Sequence, residues 1–113
     1  MARKTGLGET EERILLALWR RGGETHGAAI QEELERTIGV RLSIAAIHYT
    51  LMRLEEKAQV DSLLGDPLPV RGGKARRLFR LLPAGRRALR RSRDEVQALW
   101  EGLEEAPGSA PSE

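Results

Sequence analysis

The chain of 113 residues contains no cysteine, which excludes disulfides, thiolate metal sites and cysteine nucleophiles and leaves a reducing compartment unopposed. Aromatic residues are scarce as well. With two tryptophans, one tyrosine and one phenylalanine, the core must be built from Leu, Ile, Val and Ala, and helix is the favoured element. Histidine is limited to His26 and His48, which stand apart in the chain without acidic or nucleophilic companions. No metal site, cofactor site, paired-carboxylate or Ser-His arrangement is therefore expected, and the chain does not read as an enzyme. Long apolar runs are missing too. Ile14 to Trp19 is the only one near the basic start MARKTG, too short for a signal-peptide core or a membrane span. A cytoplasmic location with no membrane partner is the expectation.

Acidic residues are absent between Pro67 and Arg93, a stretch that holds Arg71, Lys74, Arg76, Arg77, Arg80, Arg86, Arg87, Arg90, Arg91 and Arg93. Basic residues are absent in turn from Asp94 to Glu113. The formal charge of +2 thus conceals a basic block followed by an acidic end, and such a block points to an anionic polymer. A chain of this length makes one domain with a single modest core.

The stretch that organises the rest is Ser43 to Val60. Ile44, Ile47, Leu51, Leu54 and Ala58 recur at spacings of three and four and predict the buried side of a helix. Ser43 is placed to cap it, its hydroxyl accepting from an unpaired amide of the first turn. The opposite side carries Ala45, Ala46, Tyr49 and Arg53, with Thr50 beside them. Two alanines allow close approach and the groups after them can hydrogen-bond, so this face suits a groove, although an ordinary solvated side would look similar. Arg53 alone among these residues can grip a guanine edge in bidentate fashion.

Around this helix the pattern predicts a first helix from Gly8 to Arg21, a second from His26 to Thr37 with Thr25 as its cap, and strands over Val60 to Leu64 and Leu78 to Leu82. The tip between the strands holds Gly72-Gly73 ringed by Arg71, Lys74, Arg76 and Arg77, cations suited to phosphates. Its Gly-Gly-Lys fails as a nucleotide loop because the glycine spacing is wrong and no helix follows. Pro83 opens a last helix that runs to Glu105. There Leu89, Val96 and Leu103 repeat every seven residues, with Leu99 and Trp100 between them, a seam that one small domain cannot cover and that calls for a second copy. The expected organisation is a mobile arm over 1–6, a DNA-binding domain over 7–82, a dimerisation helix over 83–105 and a disordered tail over 106–113. The fold class is mainly α with a small β wing, a winged helix-turn-helix extended by a long C-terminal helix.

Three stretches carry a resemblance: Leu7-Gly8-Glu9 with ERILLALWRRGG, then TLMRLEEK, then GGKARRLFRLLPAG. Together they resemble the PadR family of bacterial transcriptional regulators, in its short-tailed form. The resemblance implies a sequence-specific DNA-binding repressor that acts as a homodimer on a two-fold operator in double-stranded DNA. It further implies that the third helix, Ser43, Ala45, Ala46, Tyr49, Thr50 and Arg53, enters the major groove while Arg71, Lys74, Arg76 and Arg77 of the wing lie near the backbone. The last helix is implied as the dimer interface through Leu89, Val96, Leu99, Trp100 and Leu103, and Trp100 as the wall of a pocket for a small planar aromatic effector. A winged-helix module for protein or RNA is the alternative, since the fold does not fix the function. Several residues depart from the family pattern: His48 stands where tyrosine is frequent, with Tyr49 one position later, Ala58 and Gln59 where glycine and leucine are usual after the third helix, Leu82 where a capping threonine is common, and His26 where an aromatic is common.

Overall fold

The computed structural model describes residues 6–67 and 75–103. In chain order it consists of α1 (Glu9–Arg20), β1 (Glu24–Thr25), α2 (Gly27–Ile38), α3 (Ile44–Glu56), β2 (Val60–Pro67), β3 (Ala75–Leu81) and α4 (Pro83–Trp100). The expected arm up to Thr5, the tail after Leu103 and the wing tip with Arg71, Gly72, Gly73 and Lys74 lie outside the described residues.

Local chemistry sets the helix ends. At α1 the Glu11 carboxylate accepts from the Gly8 N–H at 2.9 Å, satisfying an amide that the turn leaves free. At α3 the Ser43 hydroxyl accepts from the Ala46 N–H at 3.0 Å, as expected. The cap of α2 is His26 rather than Thr25: the imidazole Nδ1 accepts from the Ala29 N–H at 3.3 Å, because Thr25 belongs to β1 and pairs with Phe79. That two-residue strand was not expected, being too short to show alternation. It joins an antiparallel sheet of order β1-β3-β2, after left-handed Gly22 and Gly23 turn the chain out of α1 and the Leu81 N–H donates to the Gly23 carbonyl at 2.8 Å.

Ile14, Leu15 and Leu18 of α1, Ile30 of α2, Ile47, Leu51 and Leu54 of α3 and Val60 and Phe79 of the sheet form the buried centre. Two members of the expected α3 stripe fall outside it. Ile44, in the first turn beside the cap, is exposed, and Ala58 lies beyond the helix end. Thr50 moves the other way and is buried, since it stands three residues after Ile47 and four before Leu54 and so borders their stripe.

A buried carboxylate ties α1 to α2. Glu33 accepts from Arg20 Nε at 2.7 Å, Arg21 Nε at 2.8 Å, Arg36 Nη2 at 2.8 and 2.9 Å and Thr37 Oγ1 at 2.8 Å. Arg20 first, then Arg21, Arg36 and Thr37, hold this carboxyl far below the usual carboxylate range. Its stabilising effect is therefore complete above that range and is lost only in strong acid.

Ala58 adopts φ 62°, the left-handed conformation, as the one non-glycine residue to do so among those described. A left-handed alanine costs about 1–2 kcal/mol, whereas glycine there loses roughly 0.5–1 kcal/mol through extra freedom in the unfolded chain. Ala58→Gly is expected to stabilise the fold by about 0.5–1 kcal/mol, read as a higher urea midpoint with an unchanged slope. A lower midpoint would show that the exit turn carries no strain.

Candidate nucleic-acid interface

The outer side of α3 stands clear of the core. Tyr49 is 63% exposed, Ala45 and Arg53 are exposed and Ala46 is half-buried. The Arg53 guanidinium lies 5.8 Å from the centroid of the Tyr49 ring and 3.8 Å from Glu11 Oε2. The same carboxylate accepts from Lys57 Nζ at 3.0 and 3.1 Å. Burial raises the Glu11 pKa, but the Gly8 N–H, Lys57 and Arg53 outweigh it, and the carboxyl stays below its ordinary value. Glu11 thus anchors α3 on α1 and restrains Arg53 from behind. Of the expected groove residues, Ser43 is spent on the cap, Thr50 is turned inward and Ala45, Ala46, Tyr49 and Arg53 form the accessible set.

The basic block is not one patch. Arg80 donates to both oxygens of Asp61, at 2.9 and 2.8 Å. Arg86 and Arg90 stand over the Trp19 ring at 5.5 and 5.7 Å from its centroid, and Arg93 pairs with Asp94 at 3.2 Å. On the wing, Arg76 and Arg77 are exposed; Arg77 donates to Ser62 Oγ at 3.0 Å and Arg76 reaches the His26 ring. Arg71 and Lys74 fall outside the described residues. His26 and His48 were not expected at this face, yet both line the hollow between the starts of α2 and α3 and the wing. Sequence spacing carried no signal for that meeting.

The seam on α4 is shorter than its heptad pattern. Leu89 is 4% exposed and belongs to this chain's own core, packed where α4 crosses the rest of the domain. Leu103 lies past the helix, which stops at Trp100, with Gly102 left-handed just before it. Val96, Leu99 and Trp100 remain exposed on α4, and Leu103 beyond it. Leu16, Trp19, Val96 and Trp100 line a groove of about 570 Å³ between α1 and α4.

The family model for the transcriptional regulator PadR-like family matches residues 14–91. The chain belongs to that family. The match runs from Ile14 within α1 to Arg91, half-way along α4, and the family is one of transcriptional regulators. A relative from Mycobacterium tuberculosis, transcriptional regulator Rv3488, is 42% identical over 76 residues, covering 67% of this chain and 66% of the relative. The match thus spans just under two thirds of that protein's length. Among solved structures, the PadR-like transcription factor from Bacteroides fragilis superposes with a TM-score of 0.67 at 17% identity, covering 80% of this chain and 82% of that one. The PadR family regulator from Eggerthella lenta gives 0.65 at 21% identity, over 80% and 76%. F93 from STIV, a winged-helix DNA-binding protein, gives 0.65 at 12% identity, over 84% and 95%. At these identities the likeness is one of fold, and it identifies the helices and sheet as a winged helix-turn-helix. Among the described residues no helix is long and apolar enough to cross a membrane.

Proposed function

We propose that this PadR-like regulator is a repressor that binds a two-fold operator as a homodimer, with α3 in the major groove and the wing on the backbone. The observation that carries the reading is the exposed face of Ala45, Ala46, Tyr49 and Arg53 on a capped helix, with basic wing residues Arg76 and Arg77 beyond it. The two alanines keep the entering end of the helix low, and Arg53 offers the paired donors that a guanine edge accepts. Binding to a two-fold operator requires the dimer to hold its two α3 helices about 34 Å apart, or at a multiple of that distance, to meet successive major-groove faces. The apolar groove beside Trp100 is assigned to the partner's seam. A planar aromatic effector would have to share that wall with it.

Affinity for specific and scrambled duplexes across a salt series tests the assignment. Arg53→Ala is expected to cost about 1–3 kcal/mol on the specific duplex and to relax preference at one base pair per half-site. Arg76→Ala with Arg77→Ala should weaken both duplexes alike and flatten the salt slope by roughly 0.9 log units for every phosphate that each of the two wings no longer neutralises. If the wing variant alters sequence preference and Arg53→Ala does not, reader and clamp are reversed. Wild type that binds neither duplex at low salt would hand the lead to the protein-interaction reading.

A further inference from the structure

The hollow of about 390 Å³ between α2, α3 and the wing is lined by His26, Gly27, Ile44, His48, Arg76 and Arg77 among others, with no carboxylate among the described residues of its wall. Its donor arithmetic is unbalanced. His26 Nδ1 accepts the Ala29 N–H that caps α2, so the neutral ring carries its proton on Nε2. That Nε2 faces the Arg76 guanidinium, which has donors and no acceptor. Two donors therefore converge where an acceptor is required.

Protonating the ring does not relieve the conflict, because it puts a second positive charge beside Arg76 and a proton on the capping nitrogen. Burial first, then Arg76 and Arg21, lower the His26 pKa, with Glu32 opposing in part. Both influences favour the neutral ring. Around it stand Arg21 from the end of α1, Glu32 on α2, His48 on α3 and Arg76 and Arg77 on β3. Arg77 is engaged by Ser62, and His48 leans on Gly27, where an added Cβ would lie 2.6 Å from His48 Nε2. Among the described residues, the pair left without a carboxylate or hydroxyl partner is His26 with Arg76.

We propose that His26 Nε2–H and the Arg76 guanidinium together seat one non-bridging oxygen of a DNA phosphodiester, joining the start of α2 to the wing across a single phosphate. The inference rests on the DNA-binding reading above and adds a phosphate seat to it. An oxygen between the two groups accepts from both, and the cap on α2 is kept. Because one donor is neutral and the other charged, their removal has different effects. His26 contributes affinity without releasing a counterion, whereas Arg76 contributes both.

The probe is a duplex selected by the wild-type protein from a random pool, made again with a single neutral methylphosphonate at each position in turn. His26→Ser and His26→Thr both keep a capping oxygen and remove the outward donor, and two variants carry the test if one folds poorly. Each is expected to lower affinity on the order of ten- to a hundred-fold for a dimer with two seats, with the salt slope unchanged and melting temperature near wild type. Arg76→Ala should lower affinity and flatten the slope. One methylphosphonate position per half-site should weaken wild type strongly and the His26 variants hardly at all, and the effects of His26→Ser and Arg76→Ala should not add. If wild type binds the selected duplex and every methylphosphonate weakens wild type and variants equally, the seat is overturned while DNA binding stands. If no duplex is ever selected, both fall.

Discussion

Replacing Val96 and Leu99 together by aspartate is expected to convert the protein to a monomer in sedimentation and to lower operator affinity by about two to four orders of magnitude. Val96 is 48% exposed and Leu99 74% exposed in the single chain, so the carboxylates meet water in the isolated protomer and leave its core intact. In the proposed dimer they would be buried against a partner's apolar surface, unpaired, at a cost no side-chain rotation removes. The DNA effect follows from geometry. Once one half-site is held, the second is bound intramolecularly, and that gain disappears when the protomers separate. Circular dichroism should retain the helical signal. A dimer that persists would move the interface to the other exposed apolar strip, where Leu16, Ile38 and Val40 line a groove of about 420 Å³ between α1 and α2.

Much of the fold was legible because it is written locally. Ser43 before an apolar stripe marks a helix start, Pro83 marks the next, and Gly39 closes α2 in the left-handed conformation. The order of helices and strands predicted the winged arrangement, the family resemblance agreed with it, and the structure and its neighbours bear it out. What local pattern could not show is how residues distant in sequence divide the charges. Arg80 reads like its neighbours in the basic block, but Asp61 lies opposite it across the β2–β3 register and removes it from the surface field. Arg53 reads as free, yet Glu11 reaches it from α1. Leu89 fits a heptad, and the crossing of α4 over the core buries it instead. Thr50 is the case where the pattern was sufficient and polarity misled: its spacing from Ile47 and Leu54 places it at the edge of their face, and burial followed spacing.

Gly85→Ala is expected to destabilise the fold by about 2 kcal/mol net, lowering the melting temperature by roughly 10 °C. Two effects compete. Alanine is favoured over glycine in a helix interior by about 1 kcal/mol, and Gly85 sits in α4 with no positive φ to require it. Packing decides the other way, since a Cβ at this position would lie 2.5 Å from the Gln59 carbonyl oxygen and 2.7 Å from Leu81 Cδ1. The leucine tip can turn aside. The carbonyl cannot, because it accepts from the Leu82 N–H at 3.0 Å, the bond that sets where α4 leaves the sheet. Relief requires α4 to shift away from the α3–β2 junction, and Leu89, one turn further along the same helix, would leave the core with it. The shift would also swing the exposed end of α4, so the variant should lose dimer affinity along with stability, although residue 85 is remote from Val96 and Leu99 in the helix. Thermal unfolding and sedimentation of the one variant read both. A melting temperature above wild type would mean that helix propensity prevails and that the close approach of α4 to Gln59 is not maintained in solution.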